Sequence, residues 1–355
     1  MPLPFRRLFR PSLIGSLATG LCLLTFSTCR PVEPYQTEQF ALTAGPAAAE
    51  GYPMEVVEGR FLTSDGKSFV VSPSFLEGDW GSSSTTYVSG DGMSPAPDSL
   101  EVRWFSYPED KFYEGHFLLP QRRIYDLLKQ GFWNTFEKKH DTYNELTVCL
   151  LPKGVVVVWL SGRNQVLIGR YEGREIDFDF KRFNSAANRP RMIQQERAKL
   201  PPAVQEQIRT GALNTRQWDA YLKTYPWQVA FSRPLKLYDY GLRGVDAQVD
   251  NHPLAPEAAP ARAQALLHPA LRPAPSNLLL LVDAGYGRRR QIQVRAFDEA
   301  ETLAAFQSLH AANPALPLTL YVETDERVEK ARLFLKNDRQ QVELVKSPVL
   351  LFDAE

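Results

Sequence analysis

The sequence predicts an α+β protein: a mainly antiparallel β-sheet domain with packed helices, followed by a small α+β C-terminal unit. Three observations carry this. Short apolar runs bounded by Gly, Pro, Asn and Asp recur between 54 and 180 and again between 278 and 336, the spacing of strands and turns. The run Val155 to Trp159 is apolar at every position, so it belongs at a sheet centre, buried on both sides with a helix packed on one face. Helical spacing is confined to a few stretches, namely 120–131, 190–222 and 298–310.

With 355 residues the chain is long enough for about two domains. Hydrophobic residues make up 44% and charged residues 23%, a globular composition that argues against disorder over most of the length. The 41 basic residues balance the 41 acidic ones, so no overall field draws the chain to nucleic acid, and no nucleic-acid partner is expected.

Residues 1–29 carry Arg6, Arg7 and Arg10, then an apolar and small-residue run, then Ser27-Thr28-Cys29. That order is a secretory signal: a basic end, an apolar centre short for a membrane span, and small residues before the cut. The stretch LLTFSTC resembles the lipobox of bacterial lipoproteins, with Phe26 in place of the usual leucine. The resemblance implies acylation of Cys29 and a membrane partner through an N-terminal lipid anchor. Arg30 carries no retention signal of the kind known for inner-membrane lipoproteins, which implies the outer membrane. Of the other cysteines, Cys22 falls in the leader and Cys149 in an apolar strand, so the fold cannot rest on disulfides or a Cys-based zinc site.

Residues 30–50, rich in Pro and Ala, read as a flexible tether. Strands are expected at 54–60 and 68–72, then a long Gly/Ser loop over 78–97 containing Trp80, a candidate binding loop on length alone. The stretch 100–120 predicts a hairpin turning at Tyr107-Pro108-Glu109-Asp110, with Leu100, Val102, Trp104, Tyr113, Phe117 and Leu119 toward the core. A helix follows over 120–131, then strands at 145–151, 154–160, 165–171 and 174–180. Helices are expected at 190–200 and 203–210, the second stopping at Gly211, and a third is capped by Asn214. Strands at 227–231 and 235–240 close a domain over 51–245. Residues 246–276 read as a Pro/Ala-rich linker, and 277–355 as the small terminal unit, in which 327–336 fits helix and strand templates equally.

Several stretches combine into a resemblance. GYPMEVVEGRF, LEVRWFSYPEDKFYEGHFLLP, PKGVVVVWLSG and RQWDAYLKTYPW are similar to bacterial lipoproteins grouped as domain of unknown function family 2931, over roughly 51–240. The resemblance implies an envelope lipoprotein and brings no activity, cofactor or catalytic residue with it.

No catalytic constellation stands out. There is no G-x-S-x-G elbow, no H-E-x-x-H pair and no P-loop, and the five histidines never fall at i, i+4 spacing. No cofactor or metal is expected. Gly285-Tyr286-Gly287 before three arginines reads as a hairpin loop rather than a phosphate cradle, and His310 as a partner of its own helix terminus. Glu175, Asp177 and Asp179 alternate with apolar residues, which places three carboxylates on one strand face. Arg103, Phe105, Glu114 and His116 share the polar face of the hairpin, and with Trp80 they form the candidate binding set. These features fit a lipid-anchored, non-enzymatic binding module of the cell envelope with an envelope protein or glycan as partner. The alternatives are a carboxylate-dependent hydrolase of envelope polysaccharide and a periplasmic immunity or inhibitor protein.

Overall fold

The strand Val155–Ser161 is buried along its whole length and pairs antiparallel with Glu145–Leu150 on one side and Gln165–Glu172 on the other. Its position at the heart of a sheet follows from its composition, since only a strand covered on both faces can be apolar at every position. The computed structural model describes residues 33–285 and 287–354. The predicted leader and the acylation site Cys29 therefore lie outside the described residues.

The central sheet has nine strands. From one edge they run Thr43–Ala48, Glu145–Leu150, Val155–Ser161, Gln165–Glu172, Val249–Asp250, Leu237–Gly244, Pro275–Gly285, Arg288–Val294 and Leu350–Ala354. Over Trp159 lies Trp80, whose ring meets it edge-on at 4.8 Å and in turn packs 5.9 Å from Tyr221 of the helix Arg216–Tyr221.

A second sheet of six strands contains the predicted hairpin. Ser99–Ser106 and Lys111–Leu118 pair in the register Leu100 with Phe117, Val102 with Gly115, and Trp104 with Tyr113. Met54–Leu62 flanks one side and Arg174–Ile176 the other, with Ser68–Val70 and Phe75–Leu76 completing the sheet. Leu100, Val102, Trp104, Tyr113, Phe117 and Leu119 are buried as expected, and the Phe117 ring stacks on Tyr171 of the central sheet at 5.2 Å. A third sheet, Ala270–Pro273, Thr224–Phe231, Leu318–Thr324, Ala331–Lys336 and Gln341–Glu343, is backed by the helix Glu299–Ala312, whose Phe306 lies 5.4 Å from Tyr225 and 5.9 Å from Trp227. Among the described residues two strand pairs are parallel, Thr43–Ala48 with Glu145–Leu150 and Thr224–Phe231 with Leu318–Thr324; the other pairings are antiparallel. The mainly antiparallel α+β class stands.

Local signals were mostly well placed. Gly211 closes the helix Pro202–Thr210 in the left-handed conformation, and Asp298 caps Glu299–Ala312 by accepting the Glu301 amide at 2.8 Å. The ambiguous segment 327–336 resolves as the strand Ala331–Lys336. His310 is not bonded to its helix terminus; its ring sits edge-on to Tyr225 at 5.4 Å.

Three expectations about organisation are corrected. Of the expected tether 30–50, the described part, 33–50, belongs to the fold, because Thr43–Ala48 is an edge strand with Ala44, Ala47 and Ala48 fully buried. Its small side chains permit close approach: a Cβ on Gly45 would stand 2.3 Å from Ser83 of the loop above. Pro46 is tolerated since edge strands leave one N–H side unpaired. Residues 246–276 are not a linker either. They hold Val249–Asp250, the helix Ala259–Leu266 and Ala270–Pro273, with prolines in the first helical turn and at a strand end, where a missing N–H costs little. Nor is 277–355 separate, for its strands enter both the nine-stranded and five-stranded sheets. Residues 33–355 are a single compact unit.

Candidate functional site

The outward face of the hairpin sheet divides into two halves by register. Residues that pair directly across antiparallel strands project to one side, so each cross-strand row can be read as a unit. One row is Arg60, Glu101 and His116; the next is Glu58, Arg103, Glu114 and Arg174; the third is Glu55, Phe105, Phe112 and Ile176.

The first two rows line a trough of about 740 Å³, with Glu172 and Gly173 at its border. Charges alternate across it. Arg60 holds Glu101 at 2.6 Å, His116 Nδ1 lies 3.2 Å from the other oxygen of the same carboxylate, and Arg103 donates to Glu114 at 2.9 Å. Arg103 also pairs with Glu58, and Arg174 with Glu114. The Arg103 guanidinium is further packed over the Phe178 ring at 4.9 Å, which fixes its plane and leaves its Nε buried without a partner among the described residues. Gly173 lets the chain turn between sheets, since a Cβ there would press to 2.7 Å from Trp104.

The arginines set the chemistry of the carboxylates. The hydrogen bond from Arg60 is the main cause holding Glu101 below the ordinary carboxylate range, and that from Arg103 does the same for Glu114, with burial opposing in both cases. Both are therefore ionised at neutral pH. A carboxylate in this state can accept hydrogen bonds but cannot deliver a proton as a general acid.

The third row is no part of this surface. Phe105 is completely buried, in contact with Tyr107, Phe112, Phe180 and Phe183, beneath the helices Phe180–Phe183 and Arg189–Lys199. Arg189 lies 5.8 Å over its ring and pairs with Asp110 in the hairpin turn at 2.7 Å. Its expected exposure is thus corrected: the cover comes from a segment more than seventy residues further along the chain. The apolar run Ile176, Phe178, Phe180 and Phe183 was the available signal, since it needed an apolar surface to bury against.

Trp80 lies apart from this surface. Its indole N–H donates to the Val245 carbonyl at 2.8 Å and its ring covers Trp159, so it pins the 78–97 loop to the central sheet and does not line the trough. The three alternating carboxylates do not share a face. The strand ends at Ile176, Glu175 pairs with Lys111 at 2.6 Å, and Asp179 caps the next helix by accepting the Lys181 amide at 2.9 Å. Among the described residues no three His, Cys, Asp or Glu side chains gather as a metal site. Cys149 is fully buried, and burial pushes its thiol up to about 12, far from a reactive thiolate. Of the sequence-derived set, the structure brings together Arg103, Glu114 and His116; Glu58, Arg60, Glu101 and Arg174 join them through strand register.

A family model described as a protein of unknown function, DUF2931, matches residues 29–213, more than half of the chain. The chain belongs to this family. The DUF2931 match begins earlier and ends earlier than the resemblance read from sequence, and it contains the whole hairpin sheet and every residue of the trough. It stops before the strands that complete the central sheet from 237 onward. No curated protein and no solved structure matches the chain.

Proposed function

We propose that this chain is a lipid-anchored protein of the bacterial cell envelope, held on the outer membrane through acylated Cys29, and that it acts as a non-enzymatic binding module through the charged trough of its hairpin sheet. The anchor rests on the N-terminal sequence order. One observation carries the choice of binding over hydrolysis: the carboxylates Glu101 and Glu114 are each locked by an arginine and held ionised. Polysaccharide hydrolysis of the usual kind needs one carboxyl kept protonated by its surroundings, and these surroundings do the reverse.

The partner that fits is a protein surface carrying both charge signs. Glu58 and Arg174 are 64% and 78% exposed at the rim, free to exchange their present partners for those of another molecule. A glycan fits less well, because the phenyl ring in the lining, Phe117, is only 7% exposed and offers no platform for a sugar face. An immunity or inhibitor role is one form of the same reading.

Two experiments test it. Cys29→Ser should release the protein from membranes under a carbonate wash, and continued pelleting would remove the anchor. Photo-crosslinking residues placed at positions 60 and 174 should trap one discrete envelope protein, lost on Arg103→Glu. Turnover of an envelope polysaccharide that disappears in Glu114→Gln would overturn the non-enzymatic reading.

A further inference from the structure

We propose that the outward face of the C-terminal half of the central sheet is a second binding groove, which takes an extended acidic and aliphatic segment of a partner polypeptide. It shares no lining residue with the hairpin trough and stands on separate observations.

The groove encloses about 680 Å³. Along Pro275–Gly285 alternate residues enter the core, so Leu279 and Leu281 face outward and remain half-buried. Across the sheet they lie in the rows Gly241, Leu279, Gln293 and Asp239, Leu281, Gln291. The absence of a side chain at Gly241 makes room for Asn251, whose Oδ1 would stand 2.9 Å from a Cβ there, so an amide borders the floor beside Leu279. Phe136, 79% exposed, forms a lip.

Charge identifies one end of the occupant. Two of the groove's ionic groups are already matched, Arg163 by Glu137 at 3.2 Å and Asp239 by Arg262 at 2.7 Å. Arg243 and Arg295 flank Asn277 at one end, and neither has a carboxylate partner among the described residues; Arg295 rests 5.6 Å over the Phe352 ring. Two exposed guanidinium groups beside an apolar floor call for a carboxylate attached to something aliphatic.

The floor then separates a peptide from a fatty acyl chain. Gln291 and Gln293 bond to each other once, at 2.9 Å, which leaves the rest of both amides unsatisfied by protein. A hydrocarbon laid across them would strip their water and return no hydrogen bond, an unfavourable exchange. An extended backbone supplies donors and acceptors at the two-residue spacing that these glutamines have.

The test is selection of a displayed random octapeptide library on the full chain. The expected result is enrichment of peptides that combine Leu, Ile or Val with Asp or Glu. A synthetic peptide of the enriched class should lose affinity at least tenfold on Arg243→Glu with Arg295→Glu. It should bind unchanged to Arg60→Glu with Arg174→Glu, which disables the trough alone. Enrichment without acidic residues, or affinity unaltered by the first pair, would overturn the proposal. Laurate that perturbs the Leu279 and Leu281 methyl signals while no peptide is enriched would overturn it in favour of a lipid.

Discussion

Trp104 illustrates what a single side chain does in this fold. It is fully buried against Tyr113, yet its indole N–H has no partner among the described residues. Trp104→Ala should therefore cost about 3–5 kcal/mol in urea denaturation, while Trp104→Phe, which also removes the unpaired donor, should stay within about 1 kcal/mol of wild type. His252 gives a prediction in pH. It is buried, accepts the Thr135 amide N–H at 3.2 Å and stacks on Phe132, and burial, aided by the charges of Arg262 and Arg163, holds it below its ordinary 6.5. The unfolded chain then takes up a proton that the folded one refuses, so this contribution is complete above about pH 6.5 and is lost as pH falls. Melting temperature should drop between about pH 7.5 and about pH 5.5, and His252→Asn, which keeps an acceptor but does not titrate there, should flatten that slope. Equal slopes for the two proteins would refute the assignment. At this scale the sequence was informative wherever a residue's neighbours were its strand partners, as for Trp104 and Phe117. It was misleading for Phe105, whose cover lies far along the chain.

At the scale of elements, the Pro/Ala-rich segment after Asp246 is the instructive case. Its composition reads as linker because Ala and Pro make weak periodic signals, yet one arginine organises it. Arg262, only 10% exposed, bonds Asp239 at 2.7 Å and Asp250 at 3.0 Å, and covers the Tyr240 ring at 3.7 Å, which fastens the helix Ala259–Leu266 to the central sheet. Arg262→Ala should destabilise by about 2–4 kcal/mol in denaturant unfolding, because two carboxylates lose their counter-charge at once; Arg262→Lys should recover only part of this, since an ammonium cannot serve both. A loss below about 0.5 kcal/mol would mean that the helix is held by its alanines alone. The edge strand Thr43–Ala48 escaped detection for a related reason: small residues do not announce a strand, and its burial comes from Glu145–Leu150 a hundred residues away.

At the scale of the whole molecule, the boundary drawn by sequence between 245 and 277 cuts through hydrogen-bonded strands. Leu237–Gly244 pairs with Pro275–Gly285 along most of its length. Turn and period signals report elements, whereas sheet membership depends on pairing between distant strands, which they do not encode. A fragment ending at 245 would expose the paired edge of Leu237–Gly244, so it should show no cooperative thermal transition, whereas the full chain should melt in one step by both circular dichroism and tyrosine fluorescence. A fragment that melts sharply on its own would restore the two-domain division.

The folded chain is described from Glu33, and its first strand is Phe40–Ala41, paired with Met93–Ser94. Three residues lie between Cys29 and Glu33, and the four Cα-to-Cα steps reach at most about 14 Å when fully extended. With Cys29 acylated as proposed, that reach would keep Glu33 within about 14 Å of the lipidated residue. Its encounters would then be those of a particle diffusing in a plane, with partners that share the membrane or project toward it.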